Sequence, residues 1–120
     1  MHWGYHLIID AAKCSPAKIR CARNIDTFAK TLVKRIDMVP FGNPQIQHFG
    51  SGNKAGFTLV QLIETSNITA HFVEETNDMY LDVFSCKPFE AKAVTETVLE
   101  FFGYADANIQ FLTRQAPRLS

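Results

Sequence analysis

The chain has 120 residues, and its 12 basic and 12 acidic side chains balance to a formal net charge of zero. With 47% hydrophobic and 20% charged residues, the composition is that of one globular domain spanning residues 1–120, and it excludes a disordered chain, a collagen-like repeat and a coiled coil. A balanced charge gives no long-range attraction to phosphate backbones or anionic lipid, so we expect neither nucleic acid nor a membrane as partner.

The N-terminal segment and the cysteines bear on location and on metal binding. The first ten residues (MHWGYHLIID) lack the basic start and small-residue cleavage site of a signal peptide, and no apolar run approaches the roughly 20 residues that span a bilayer. The three cysteines, Cys14, Cys21 and Cys86, are an odd number without the spacing of a zinc site. We therefore predict a cytoplasmic protein with reduced thiols and no metal.

The first half of the chain predicts a strand, a helix and a second strand. Residues 5–10 form a short run rich in branched apolar side chains, which favours a buried strand. Apolar residues recur at helical spacing over residues 26–38, and Pro40 and Gly42 follow where that helix must end. Residues 57–63 have high β propensity and predict the next strand.

The second half predicts further strands and one more helix. Only four residues separate the strand just described from a strand at 68–73, which is hairpin length. A strand at 80–84, an amphipathic helix that ends at Gly103 and a last strand at 108–112 follow. Short connections force antiparallel pairing, and each amphipathic helix needs one face covered. The sequence thus predicts an α+β fold, a two-layer sandwich whose mainly antiparallel sheet is covered on one face by two helices.

Three chemically capable side chains fall close to the predicted turns. Ser66 lies in the hairpin connection, His71 follows in the next strand, and Cys86 comes 20 residues after Ser66 at the end of a strand. Each alone is ordinary, because serines form turns, strand histidines pair with neighbours and cysteines pack as small hydrophobes. Cys86 also precedes a predicted helix, whose N-terminal partial charge favours a thiolate. The combination is more informative than any one of them.

Four segments carry a resemblance to a known family. They are GYHL at 4–7, GFTLV at 56–60, SNITAH at 66–71 and LDVFSC at 81–86, the last matching a family block that ends in Phe-Thr-Cys. Their order and the serine-to-cysteine spacing resemble the prokaryotic-type S-adenosylmethionine decarboxylase proenzymes, which are small pyruvoyl-dependent enzymes of polyamine (spermidine) synthesis. The resemblance covers residues 4–102.

The resemblance implies that the chain cleaves itself between Thr65 and Ser66. The Ser66 hydroxyl attacks the carbonyl carbon of Thr65 and gives an ester, and elimination and hydrolysis then leave a pyruvoyl group derived from Ser66 as the cofactor. Thr58 stands at a family serine and is expected to hydrogen-bond the developing charge, while His71 moves protons. A hairpin that closes near residues 64–67 places Thr58 and His71 side by side on paired strands.

The same resemblance implies the reaction of the mature site. The pyruvoyl ketone forms a Schiff base with the amino group of S-adenosylmethionine and accepts the electrons released with carbon dioxide, so no metal is required. Cys86 returns a proton to the substrate, Glu75 accepts hydrogen bonds from the ribose hydroxyls, and Phe49 and Phe84 are candidates to face adenine and the sulfonium. The family also implies a homodimer with its sites near the interface.

Departures from the family pattern leave alternatives open. Thr65 and Asn67 stand where the family has glutamate and histidine, and the β-branched Thr65 restricts the backbone at the bond to be cleaved. One alternative is an unprocessed, non-catalytic paralogue that binds an adenosyl ligand or a partner. Another is a pyruvoyl enzyme that decarboxylates a different amino acid, such as ornithine or arginine.

Overall fold

The computed structural model describes residues 2–119, which form one six-stranded antiparallel sheet. The strands, in chain order, are β1 (Gly4–Ala12), β2 (Gln45–Phe49), β3 (Gly56–Ile63), β4 (Ser66–Val73), β5 (Asp78–Ser85) and β6 (Asp106–Arg114). Their order across the sheet is β2-β3-β4-β5-β1-β6, and every neighbouring pair is antiparallel. The N-terminal strand β1 therefore lies between two strands from the C-terminal half.

Residues 2–119 contain three α-helices, and the two long ones pack together against the sheet. They are α1 (Pro16–Ile19), α2 (Ala22–Arg35) and α3 (Ala91–Phe102). The sulfur of Cys21 caps α2 by accepting a hydrogen bond from the Asn24 backbone N–H, and α3 ends at Gly103 in the left-handed conformation (φ 62°) that glycine adopts easily. Phe28 of α2 and Phe102 of α3 are fully buried, with ring centroids 4.8 Å apart.

The two faces of the sheet differ in what covers them. Side chains alternate between faces along a strand. On the face under the helices, strand residues such as Leu7, Leu59 and Leu81 are fully buried. The opposite face, here called the open face, carries several partly exposed apolar side chains. These are Ile8, Val60, Leu62, Phe84 and Leu112.

The predicted fold class is confirmed, and the differences lie at the edges of the sheet and the ends of elements. The helix predicted over 26–38 lies earlier in the chain, at Ala22–Arg35. It begins after the cap formed by Cys21, and it ends before Asp37, whose positive φ of 58° an α-helix does not accommodate. The sequence does not predict β2 or α1. The first is a mostly exposed edge strand of mixed polarity (QIQHF), and the second has only four residues.

The hairpin between β3 and β4 fixes the register of the candidate residues. Ile63 pairs with Ser66, so the connection contains only Glu64 and Thr65 rather than the four residues expected. Ser66 is therefore the first residue of β4, and its other neighbour across the sheet is Ser85 at the end of β5.

Residues 2–119 contain no helix long and apolar enough to cross a membrane. Within the same range, no group of three or more His, Cys, Asp or Glu side chains is placed to hold a metal ion. All three cysteines are free: Cys14 is buried, whereas Cys21 and Cys86 are exposed.

Candidate active site

The turn between β3 and β4 lies beside the end of β5. Four residues meet there, Thr65, Ser66, Ser85 and Cys86, and we call them the hairpin cluster. The backbone N–H of Cys86 donates a hydrogen bond to the carbonyl oxygen of Thr65 at 3.1 Å. The carbonyl that the predicted self-cleavage attacks therefore already has a donor on its oxygen, which is the arrangement that stabilises negative charge developing there.

The side chains of the hairpin cluster form a row of hydrogen bonds. The Lys87 backbone N–H donates to the Ser85 hydroxyl oxygen at 3.0 Å, and the Ser85 hydroxyl donates to the Thr65 hydroxyl oxygen at 2.8 Å. The Thr65 hydroxyl in turn donates to the sulfur of Met38 at 3.3 Å. Ser85 is fully buried and Thr65 half-buried, so the row is largely shielded from water.

The predicted nucleophile and the predicted proton donor lie at the edge of this cluster. Ser66 is half-buried, and its hydroxyl oxygen accepts a hydrogen bond from the Asn67 side-chain amide at 3.3 Å. Cys86 is exposed. The helix predicted to follow Cys86, α3, begins five residues later at Ala91, so the cysteine does not directly precede it.

A second group of predicted residues lies toward the other end of β3 and β4 and is called the strand cluster. It consists of Thr58 on β3, His71 on β4, Phe49 at the end of β2 and Glu75 in the turn after β4. Thr58 and His71 are directly paired across β3 and β4, and the Thr58 hydroxyl oxygen is 2.7 Å from His71 Nδ1. The Phe49 ring centroid is 6.3 Å from that of His71, and the ring is 56% exposed. His71 and Glu75 also line a cavity of about 460 Å³ together with Tyr80.

The two clusters are separate within one chain. His71 follows Ser66 by five strand positions, which corresponds to about 16 Å along β4. Five is an odd number, so the two side chains also point to opposite faces of the sheet, Ser66 toward the helices and His71 to the open face. The structure therefore brings Thr65, Ser66 and Cys86 together, and Thr58 and His71 together, but it does not bring His71 to Ser66 of the same chain.

Phe84, the other aromatic candidate, lies on the open face opposite Asn67. The guanidinium carbon of Arg114 is 5.1 Å from its ring centroid, and the Trp3 ring is 5.7 Å away. These three side chains line a cavity of about 440 Å³. A guanidinium thus already covers the Phe84 ring, whereas the Phe49 ring is exposed.

A comparison with known protein families identifies the family of this chain. A family model described as S-adenosylmethionine decarboxylase matches residues 5–115. The chain belongs to the S-adenosylmethionine decarboxylase family. The resemblance carried by the four sequence segments is thereby confirmed, and the enzyme class is that of a carboxy-lyase acting on S-adenosylmethionine.

A solved structure shows the same decarboxylase fold. The crystal structure of the adenosylmethionine decarboxylase from Aquifex aeolicus matches this chain with a TM-score of 0.82 at 20% sequence identity, covering 99% of this chain and 96% of that one. No curated protein sequence matches the chain significantly. The likeness to the solved structure extends over the whole sheet and its helices.

Sequence reasoning did not identify Ser85, Met38 or the amide of Asn67 as hydrogen-bond partners of Thr65 and Ser66. Ser85 is adjacent to Cys86 within a recognised segment, so its position carried a signal. Asn67 attracted attention only as a departure from the family pattern. Met38 lies 27 residues before Thr65, and no local pattern indicates their contact.

Proposed function

We propose that this decarboxylase makes its own cofactor by cleaving the chain between Thr65 and Ser66. The observation that carries the proposal is the hydrogen bond from the Cys86 backbone N–H to the Thr65 carbonyl oxygen, at the tip of a hairpin where Ser66 follows directly. A hydroxyl and a polarised carbonyl on neighbouring residues are the reactants of an acyl shift from nitrogen to oxygen. Membership of the family supports a pyruvoyl group as the product.

The cleavage needs only groups of the chain and water. The Ser66 oxygen bonds to the Thr65 carbonyl carbon, the C–N bond of that peptide breaks, and the amide nitrogen takes up the proton of the hydroxyl. The ester then loses the Ser66 α-proton as its Cβ–Oγ bond breaks, which frees Thr65 as a C-terminal carboxylate. Water replaces the nitrogen on residue 66, so that ammonia leaves and a pyruvoyl group remains.

The residues around position 66 suit the decarboxylation that follows. The pyruvoyl group supplies an electron-withdrawing ketone that captures the substrate amino group and accepts the electrons of the departing carboxylate. The exposed Cys86 thiol returns a proton to the substrate α-carbon. In the strand cluster, Glu75 accepts hydrogen bonds from the ribose hydroxyls, and the Phe49 ring faces adenine and the sulfonium.

We also propose a homodimer in which the strand cluster of one subunit meets the hairpin cluster of the other. The separation of about 16 Å leaves Ser66 without a base from its own His71. The open face presents apolar side chains such as Leu62 and Leu112, which are 39% and 41% exposed. Packing two open faces about a two-fold axis buries these apolar side chains and sets the strand cluster of one subunit against the hairpin end of the partner's sheet.

Denaturing mass spectrometry tests the self-cleavage. The purified protein is expected to give two fragments, residues 1–65 and 66–120, the second beginning with the pyruvoyl group, and Ser66→Ala is expected to remain one chain. Ser51→Ala removes an exposed hydroxyl from another loop and is expected to cleave like the wild type. A wild-type chain that stays intact under all conditions rejects the proposal. Release of carbon dioxide from S-adenosylmethionine, and not from ornithine or arginine, identifies the substrate.

Coexpression of two inactive variants tests the shared site. Ser66→Ala keeps His71 but has no nucleophile, and His71→Ala keeps the nucleophile but has no base. In the mixed dimer, only the His71→Ala chain is expected to be cleaved, and its fragment carries the mass of the substitution. Two intact chains in the mixture contradict a shared site, and a monomer in equilibrium sedimentation contradicts the dimer itself.

We place the enzyme in the cytoplasm. Its cysteines are free, and Cys21 and Cys86 are exposed as thiols, which suits a reducing compartment. Cell fractionation should recover the enzyme with other cytoplasmic proteins, and its recovery with secreted proteins contradicts the assignment.

A further inference from the structure

We infer that Ser85 is a positioning residue for self-cleavage, which holds Thr65 so that its carbonyl carbon is presented to the Ser66 hydroxyl. The inference rests on the proposed self-cleavage and adds to it a residue that does not touch the reacting bond. Its basis is the row of hydrogen bonds that joins Lys87, Ser85, Thr65 and Met38.

Thr65 is attached to the end of β5 at two points. Its carbonyl oxygen accepts the Cys86 backbone N–H at 3.1 Å, and its side-chain oxygen accepts the Ser85 hydroxyl at 2.8 Å. One attachment acts on the main chain and the other on the side chain. Two such points fix the rotation of the Thr65 carbonyl about the chain axis, whereas a single hydrogen bond leaves it free to turn.

Ser85 has the rigidity that a positioning residue needs. It is fully buried, and its oxygen accepts the Lys87 backbone N–H, so its own proton is left for an acceptor. The Thr65 hydroxyl oxygen at 2.8 Å is a nearer acceptor than the Met38 sulfur at 3.7 Å. The Thr65 hydroxyl in turn donates a hydrogen bond to the Met38 sulfur. Each hydroxyl therefore accepts one hydrogen bond and donates one, and the direction of the row is set from the Lys87 amide to Met38. A row with its donors and acceptors satisfied in this way holds each side chain in one rotamer.

The chemistry of the cleavage explains why this rigidity matters. The bond to be broken joins residues 65 and 66, so a rotation of Thr65 moves the carbonyl carbon away from the Ser66 oxygen. A displacement of about 1 Å costs about 100-fold in rate.

Variants that remove or keep the two hydroxyls test the inference through the rate at which newly made chain divides into fragments. Ser85→Ala is expected to slow self-cleavage by about 10- to 100-fold, and the half-buried Thr65→Val by a similar factor. Ser85→Thr and Thr65→Ser keep the hydroxyls and are expected to cleave at close to the wild-type rate. The double variant Ser85→Ala/Thr65→Val is expected to be no slower than the slower single one, because both substitutions remove the same hydrogen bond.

Thr97→Val is the matched control for lost stability. Thr97 is a fully buried hydroxyl in α3 that donates to the Ala93 carbonyl oxygen at 2.7 Å, away from the hairpin cluster. This variant is expected to lower the thermal unfolding midpoint, as Ser85→Ala does, without slowing cleavage.

The outcomes separate this inference from the proposal beneath it. An uncleaved wild type overturns both. A cleaving wild type together with a Ser85→Ala chain that cleaves equally fast overturns only the positioning role. The positioning role is also overturned if the double variant is slowed by the product of the two single effects. If Ser85→Ala does not fold, the cleavage rate of Thr65→Val tests the same hydrogen bond.

Discussion

The hairpin cluster and the strand cluster share strand β4, yet they are held in different ways. Thr65 is fixed by a main-chain donor and by the buried Ser85 hydroxyl. In the strand cluster a single side-chain contact joins Thr58 to His71, and Phe49 is exposed. The contrast fits the two proposed tasks. A reaction within the chain needs a peptide held in one geometry, whereas a surface that receives a substrate and a partner needs groups that are free to reach them.

Removing the Cys86 thiol separates main-chain from side-chain roles in the hairpin cluster. Cys86→Ala keeps the N–H on Thr65 and is expected to self-cleave, while kcat for decarboxylation falls about 10²- to 10⁴-fold without the proton donor. Fragment masses measure the first step, and carbon dioxide released from carboxyl-labelled substrate measures the second. Cys21→Ala, at the other exposed cysteine, is expected to leave both unchanged. The role of the Cys86 thiol is contradicted if the Cys86→Ala chain does not cleave itself while any fraction that is cleaved decarboxylates at the wild-type rate.

A side chain at position 56 breaks the strand pairing near the strand cluster. A Cβ on Gly56 lies 1.6 Å from the Phe72 carbonyl oxygen, so the strands must separate to admit it. Gly56→Ala is expected to lower the free energy of unfolding by about 3 kcal/mol, as measured by urea denaturation. At Gly42 the φ is also positive but no atom lies within 4 Å of the added carbon, and Gly42→Ala is expected to cost only about 1 kcal/mol of backbone strain. Equal costs at the two sites contradict the steric explanation.

Thr58→Val tests the single hydrogen bond of the strand cluster. The lost contact to His71 is expected to change the free energy of unfolding by less than about 1.5 kcal/mol, because both side chains are partly exposed. Self-cleavage is expected to slow about 10-fold, since the imidazole is no longer oriented. Thr58→Ser restores the hydroxyl and should restore the rate. Thr69→Val, at another position on the same face, should have no effect, and equal slowing there removes the special role of Thr58.

Cys14 provides the smallest expected effect and a contrast to the exposed Cys86. Burial and, to a lesser extent, the nearby Asp78 carboxylate raise the pKa of the Cys14 thiol from 9.0 to about 11. The folded state therefore holds this proton more tightly than the unfolded state. The resulting stabilisation is fully present below pH 9 and is lost as the pH rises toward 11. The free energy of unfolding should decline less over this window in Cys14→Ala than in the wild type or Cys21→Ala, and identical declines contradict the assignment.

Sequence patterns predict most of the fold because a strand or helix that buries one face has apolar residues at regular spacing. The central strands and the two long helices each bury one face, and that face appears as regular spacing of apolar residues. The edge strand β2 has no such spacing of apolar residues. Only Ile46 in it is even half-buried, so its sequence does not alternate. The short helix α1 has too few residues to show a helical period.

The candidate site is predictable where register determines it and not where long-range packing does. Thr58 and His71 lie equally far from the hairpin, so their pairing follows from the turn. The odd spacing of Ser66 and His71 also shows in the sequence that they face opposite ways. The row through Ser85 is different. It depends on Met38, which reaches the turn from a loop 27 residues earlier in the chain, and no spacing rule gives that contact.

The strand order has a consequence for what becomes of the two pieces after cleavage. The proposed cut severs a two-residue turn, with β1, β2 and β3 in one piece and β4, β5 and β6 in the other. Because β1 is inserted between β5 and β6, and β3 adjoins β4, the pieces are interwoven along three seams of hydrogen bonds. Neither piece can dissociate without breaking the hydrogen bonds between these strands. This chain can thus be divided covalently and still persist as one folded body.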